Sequence, residues 1–135
     1  MSGRRLRLCL RIGGWCTATA VVGVVLPEAW MAAAHRALGL GEFTPSPVLI
    51  YLIRSVSVLY TAIGLLLVAA ARDPQAWRAP LHLLAWSGLL GGPVIGASGA
   101  LGGLPLWWWL GETVVILIVS AALLWGVGSM GRKSS

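Results

Sequence analysis

Four times along this chain, an apolar run long enough to cross a bilayer ends in prolines, charges or glycines. A spanning helix needs ~20 mainly apolar residues, because ~30 Å of hydrocarbon is crossed at ~1.5 Å per residue. The runs cover about residues 8–26, 48–71, 81–101 and 104–127. The first stops at Pro27-Glu28. The second follows Thr44-Pro45-Ser46-Pro47 and stops at Arg72-Asp73-Pro74, the third follows Pro80, and the fourth closes before Gly131-Arg132-Lys133. Such punctuation belongs at helix boundaries. It predicts an all-α fold, a four-transmembrane-helix bundle with a short interfacial helix between spans 1 and 2. Residues 1–135 then form a single integral membrane domain.

Composition agrees. Only 10% of the 135 residues are charged, against roughly a quarter in a soluble domain. Mean hydropathy is +0.85. The net charge of +6 would suit nucleic acid only if the basic residues shared a soluble face with aromatics. They flank apolar blocks instead, so nucleic acid is not an expected partner. Arg4, Arg5, Arg7 and Arg11 precede span 1, Arg72 and Arg78 lie between spans 2 and 3, and Arg132 and Lys133 follow span 4. The opposite side has Arg36 alone. Cytoplasmic loops keep the excess of Lys and Arg, so both termini are expected inside. A leader-like ending, Ala32-Ala33-Ala34, competes with this picture. The apolar block before it is long, however, and Pro27-Glu28 would fall in the cleavage region, so a retained first helix is expected.

Between spans 1 and 2, residues 27–43 read PEAWMAAAHRALGLGEF. Proline at the start, an alanine-rich middle and Gly39 as a stop predict a short helix over about 27–38. Trp30, Met31, Ala34 and Leu38 fall on one face, which suits a helix lying on the outer surface. Trp107, Trp108 and Trp109 mark the outer end of span 4 and Trp125 its inner end, as interfacial tryptophan does.

Two charges are out of place. Arg54 lies within span 2 and Glu112 within span 4. Both spans start at the outer side, which puts each charge ~9–12 Å below that boundary. A lone charge in hydrocarbon costs ~3 kcal/mol or more, while an inward-facing pair is tolerated. An Arg54–Glu112 ion pair is therefore expected, either as a fixed bridge or as part of a polar cavity. Tyr51, Arg54, Ser57, Thr61 and Gly64 recur at spacings of three and four, making Tyr51, Ser57 and Thr61 the polar companions of Arg54. Span 4 adds only Thr113 and Ser120.

Span 3 carries Gly88, Gly92, Gly96 and Ala100 at four-residue spacing. Small residues at that period let helices approach closely, so this stripe is expected to be an intramolecular packing face, or otherwise a dimer face. Pro93 is expected to kink the helix. The string Gly96-Ala97-Ser98-Gly99 resembles the GxSG serine motif of rhomboid proteases, which need a histidine on a later helix as base. No histidine follows His82, and no enzyme is expected. His35 reads as a solvated residue and His82 as an interfacial one. Cys9 and Cys16 share a helical face and read as reduced thiols, since one helix cannot bring the two sulfurs together. No metal or cofactor is expected from these residues.

Pro27, Trp30-Met31, His35, Leu38-Gly39-Leu40-Gly41-Glu42, Pro47, Tyr51-Leu52, Arg54-Ser55, Tyr60, Leu106-Trp107-Trp108 and Glu112 form a pattern that resembles small BphX-like and DoxX-like bacterial membrane proteins. The resemblance covers most of the chain and is loose in span 3. It implies four helices in a bacterial inner membrane and no established activity. Two function classes follow. One is a structural or accessory membrane protein. The other is a small carrier, or a protein binding protons or lipid headgroups through Arg54 and Glu112. Small multidrug carriers share the size and span count, but their essential carboxylate lies in span 1, where this chain has none. The expected partners are the lipid bilayer and a second copy or another membrane protein.

Overall fold

The computed structural model describes residues 3–131. Arg132 and Lys133 of the basic tail lie outside these. The described chain is helical throughout its regular structure: α1 (Gly3–Ala18), a 3₁₀ turn (Thr19–Val21), α2 (Val22–Val25), α3 (Glu28–Ala37), α4 (Pro47–Ala70), α5 (Arg78–Leu101) and α6 (Leu106–Gly131). Four stretches, Gly3–Val25, Pro47–Ala70, Arg78–Leu101 and Leu106–Ser129, are long and apolar enough to cross a membrane. This is the make-up of a multi-pass membrane protein.

Local chemistry sets the ends. Ser46 caps α4, its Oγ accepting from the Leu49 amide at 3.2 Å, and Pro47 follows in the first turn. Such a cap contributes ~1 kcal/mol. Helix α5 starts at Arg78, before Pro80, because proline is tolerated in a first turn whose amides have no helical partner. It continues through Pro93. Asp73 orders the turn before it, its Oδ1 accepting from the amides of Gln75 and Ala76 at 3.1 and 3.2 Å. Gly103, at φ +74°, turns the chain between α5 and α6. Pro105 then lies just ahead of α6, which starts at Leu106.

Span 1 is not one regular helix. Its break at Thr19–Val21 coincides with two hydroxyls that bond backwards, Thr17 to the Gly13 carbonyl at 2.8 Å and Thr19 to the Cys16 carbonyl at 2.6 Å. Side chains that bond the backbone in this way compete with the helical ladder and bend it.

The chain forms two compact units. One comprises Cys9–Ala71, and the other comprises residues from Arg72 on, with the chain through Leu8. In the first, α1 and α2 run antiparallel to α4. Gly14 lies against Gly64 and Val68, and Gly23 against Ser57. In the second, α5 and α6 form an antiparallel hairpin. Gly88 meets Ser120, Gly92 meets Ile116 and Leu117, Gly96 meets Thr113, and Gly99 meets Trp109.

Helix α3 begins after Pro27, which stands just outside it at ψ 147°. Its inward residue is Met31, 7% exposed, while Trp30 is 68% exposed. The two do not share a face, because neighbours on a helix are ~100° apart at 3.6 residues per turn. His35 is half-buried rather than solvated. Its Nδ1 donates to the Gly41 carbonyl at 3.1 Å, and its ring lies 5.6 Å from that of Phe43. Gly39 and Gly41, at φ +66° and +89°, let the chain double back to this ring.

Candidate functional site

Arg54 belongs to the unit Cys9–Ala71 and Glu112 to the other. Arg54 stands seven residues beyond Pro47, the first residue of α4, hence ~10 Å along the helix axis. It is exposed and is the one charged residue of α4. With Pro47, Ile50, Tyr51, Ser55 and Val58 it lines a groove of about 370 Å³ along the first half of that helix. No acidic residue is among the lining groups.

The residues grouped with Arg54 by spacing have different surroundings. Tyr51 is 70% exposed and lines the groove. Ser57 turns toward span 1, where its Oγ occupies the space a side chain at Gly23 would need. Thr61 donates to the Ser57 carbonyl at 2.7 Å. Gly64 is buried against Gly14 and Ala18. The stripe therefore divides into an outward pair, Tyr51 and Arg54, and an inward packing row, Ser57 and Gly64. Ser55 joins the outward group. Its signal in the sequence was adjacency to Arg54, which periodic spacing alone does not reveal.

Glu112 stands six residues beyond Leu106, the first residue of α6, ~9 Å along that helix. It is exposed and is the one charged residue of α6. Next to it, Thr113 is half-buried against Gly96 and donates to the Trp109 carbonyl at 2.7 Å. Trp107 and Trp108 meet edge-on, with ring centroids 5.4 Å apart at 76°. Ser120 is buried at the Gly88 crossing.

Several hydroxyls of the spans are held by their own helix. Besides Thr17, Thr19, Thr61 and Thr113, Ser98 donates to the Val94 carbonyl at 2.8 Å. Among the described residues, no buried side-chain nitrogen or oxygen lacks a partner. Internal satisfaction of this kind is what hydrocarbon requires. Likewise among the described residues, no three His, Cys, Asp or Glu side chains gather where a metal ion could be held.

One close approach was not anticipated from spacing. A methyl group on Gly14 would sit 2.7 Å from the Gly64 carbonyl oxygen and 2.9 Å from the Val68 amide nitrogen. The signal is Gly14-x-x-x-Ala18 in span 1, facing a single glycine in span 2. In comparisons with known proteins, no family model matches this chain, and neither does any curated protein or solved structure.

Proposed function

We propose that this chain is a structural or accessory component of a bacterial inner membrane, crossing it four times with both ends in the cytoplasm. In this reading Arg54 and Glu112 pair within the bilayer and tie α4 to α6. The observation that carries it is the matched position of the two charges. Each is the one charged residue of its helix and lies a similar distance from that helix's first residue. A charge this far into a span is costly unless partnered. The resemblance to small four-helix bacterial membrane proteins supports the location, and the basic residues at Arg4, Arg5, Arg7, Arg11, Arg72 and Arg78 support the orientation.

Removing one member of a buried pair strands the other charge, whereas replacing both with apolar groups is often nearly neutral. Arg54→Leu and Glu112→Leu should each lower the folded yield from membranes, and the double mutant should recover most of it. Folded yield is read as the monodisperse fraction after extraction. Simple addition of the two losses would refute the pairing. A second reading, a carrier or a lipid-headgroup binder, is favoured by the groove that Arg54 shares with Tyr51 and Ser55.

A further inference from the structure

We propose that the groove on α4 binds the phosphate of an anionic membrane phospholipid, with Arg54 as the principal contact. This rests on the lipid-headgroup reading above and does not require Glu112. One edge of a guanidinium can hold a carboxylate while its remaining N–H groups stay available, since arginine has five donors.

The lining residues fit such a headgroup in kind and order. Arg54 offers a permanent, forked cation, the geometry suited to phosphate oxygens. Tyr51 and Ser55 add hydroxyl donors, and Pro47, Ile50 and Val58 supply apolar walls. With no carboxylate among these residues, the groove is complementary to a negative ligand. Its volume of about 370 Å³ is on the scale of small-ligand sites and suits the polar end of a lipid.

Helix direction places the cation where lipid phosphates lie. Side chains on a helix tilt toward its N-terminus. The long stem of Arg54 thus carries the guanidinium back past Tyr51 toward Pro47, the end nearest the membrane boundary. Arginine near a span end snorkels in this way toward the headgroup layer. In the other direction, the outward face continues through Val58 and Leu65, both exposed. The acyl chains of a lipid anchored at Arg54 would lie along that row. Soluble phosphate would gain nothing from it, so the lipid is the ligand the whole surface fits.

The test uses the purified full chain, reconstituted in nanodiscs of equal phosphatidylglycerol and phosphatidylcholine, with the lipids retained on release read by native mass spectrometry. The wild type should retain phosphatidylglycerol preferentially. Arg54→Gln should reduce that preference roughly tenfold, the size of one charge-assisted hydrogen-bonded contact. Tyr51→Phe, a near-isosteric change at an outward position, should reduce it severalfold and carries the test if Arg54→Gln does not fold. Glu112→Gln should leave the preference at or above the wild-type level, and excess inorganic phosphate should not displace the lipid. Equal retention of the two lipids by the wild type, or an unchanged preference in Arg54→Gln, overturns the proposal. So does displacement by free phosphate, which would make the groove a small-anion site. Loss in Glu112→Gln equal to that in Arg54→Gln also overturns it, because retention would then follow the ion pair and not the groove. The pairing has its own readout in folded yield, so either idea can fail alone.

Discussion

At Gly64 there is no room for a side chain. A Cβ there would meet the Ala18 amide nitrogen and, 2.6 Å away, the Gly14 carbonyl oxygen. Both obstacles are backbone, which cannot step aside without separating span 1 from α4. At Gly92 the nearest obstacle is the Ile116 Cγ2 at 3.2 Å, a side-chain tip that can give by a few tenths of an ångström. Gly91 has nothing within 4 Å. The three positions therefore predict a graded series of alanine substitutions. Gly64→Ala should destabilise by ~2–3 kcal/mol, the upper part of the overpacking range. Gly92→Ala should cost ~1 kcal/mol or less, its strain offset by the higher helix propensity of alanine. Gly91→Ala should be neutral or slightly stabilising. Unfolding in detergent, followed by helical signal against denaturant, would show the order. A Gly64→Ala variant as stable as Gly91→Ala would mean that the Gly14–Gly64 crossing does not hold span 1 to α4.

At the level of elements, the sequence was most legible where a property is local. Hydropathy located all four spans, and Ser46-Pro47 located the start of α4. Pairing was legible only where one helix carried a repeated signal, as in Gly88, Gly92 and Gly96. The crossing of span 1 on α4 rests on a single small pair facing one glycine, a pattern that apolar sequences present often by chance. Helix α3 shows a related limit. A window of apolar residues named Trp30 and Met31 together, yet only Met31 turns inward, and the partner of His35 is a loop carbonyl beyond two positive-φ glycines. Spin labels placed singly along residues 28–38 should report a minimum of water access at 31 and 35, with maxima near 33 and 37, a period near 3.6. His35→Ala should raise the mobility of labels at 41–43 by removing the contact that folds the loop back. Uniform accessibility along the segment would show that α3 does not persist in the membrane-embedded protein.

For the whole molecule, the basic residues make a definite forecast of which way the chain is threaded. Retention of Lys and Arg on the cytoplasmic side is counted over short segments near span ends. Arg4, Arg5, Arg7 and Arg11 crowd the start of span 1, and Arg72 and Arg78 flank the turn between α4 and α5. The segment between α2 and α4 holds Arg36 against Glu28 and Glu42, and the turn between α5 and α6 has no charge at all. The asymmetry predicts Glu42 outside and Gln75 inside. Cys9 and Cys16 are both exposed thiols, so the experiment needs a Cys9→Ala, Cys16→Ala background. In that background, Glu42→Cys should react with a membrane-impermeant maleimide in intact cells, and Gln75→Cys only after the membrane is opened. The opposite pattern would invert the topology. Labelling of both in intact cells would show that α4, the one helix between them, does not cross. The same pair of sites also bears on the proposed ion pair, because α4 and α6 start from the same side only if α4 and α5 both cross. If α4 stays on the outer side while α5 crosses, Arg54 and Glu112 come to opposite ends of the bilayer, and each charge is left to find its own partner.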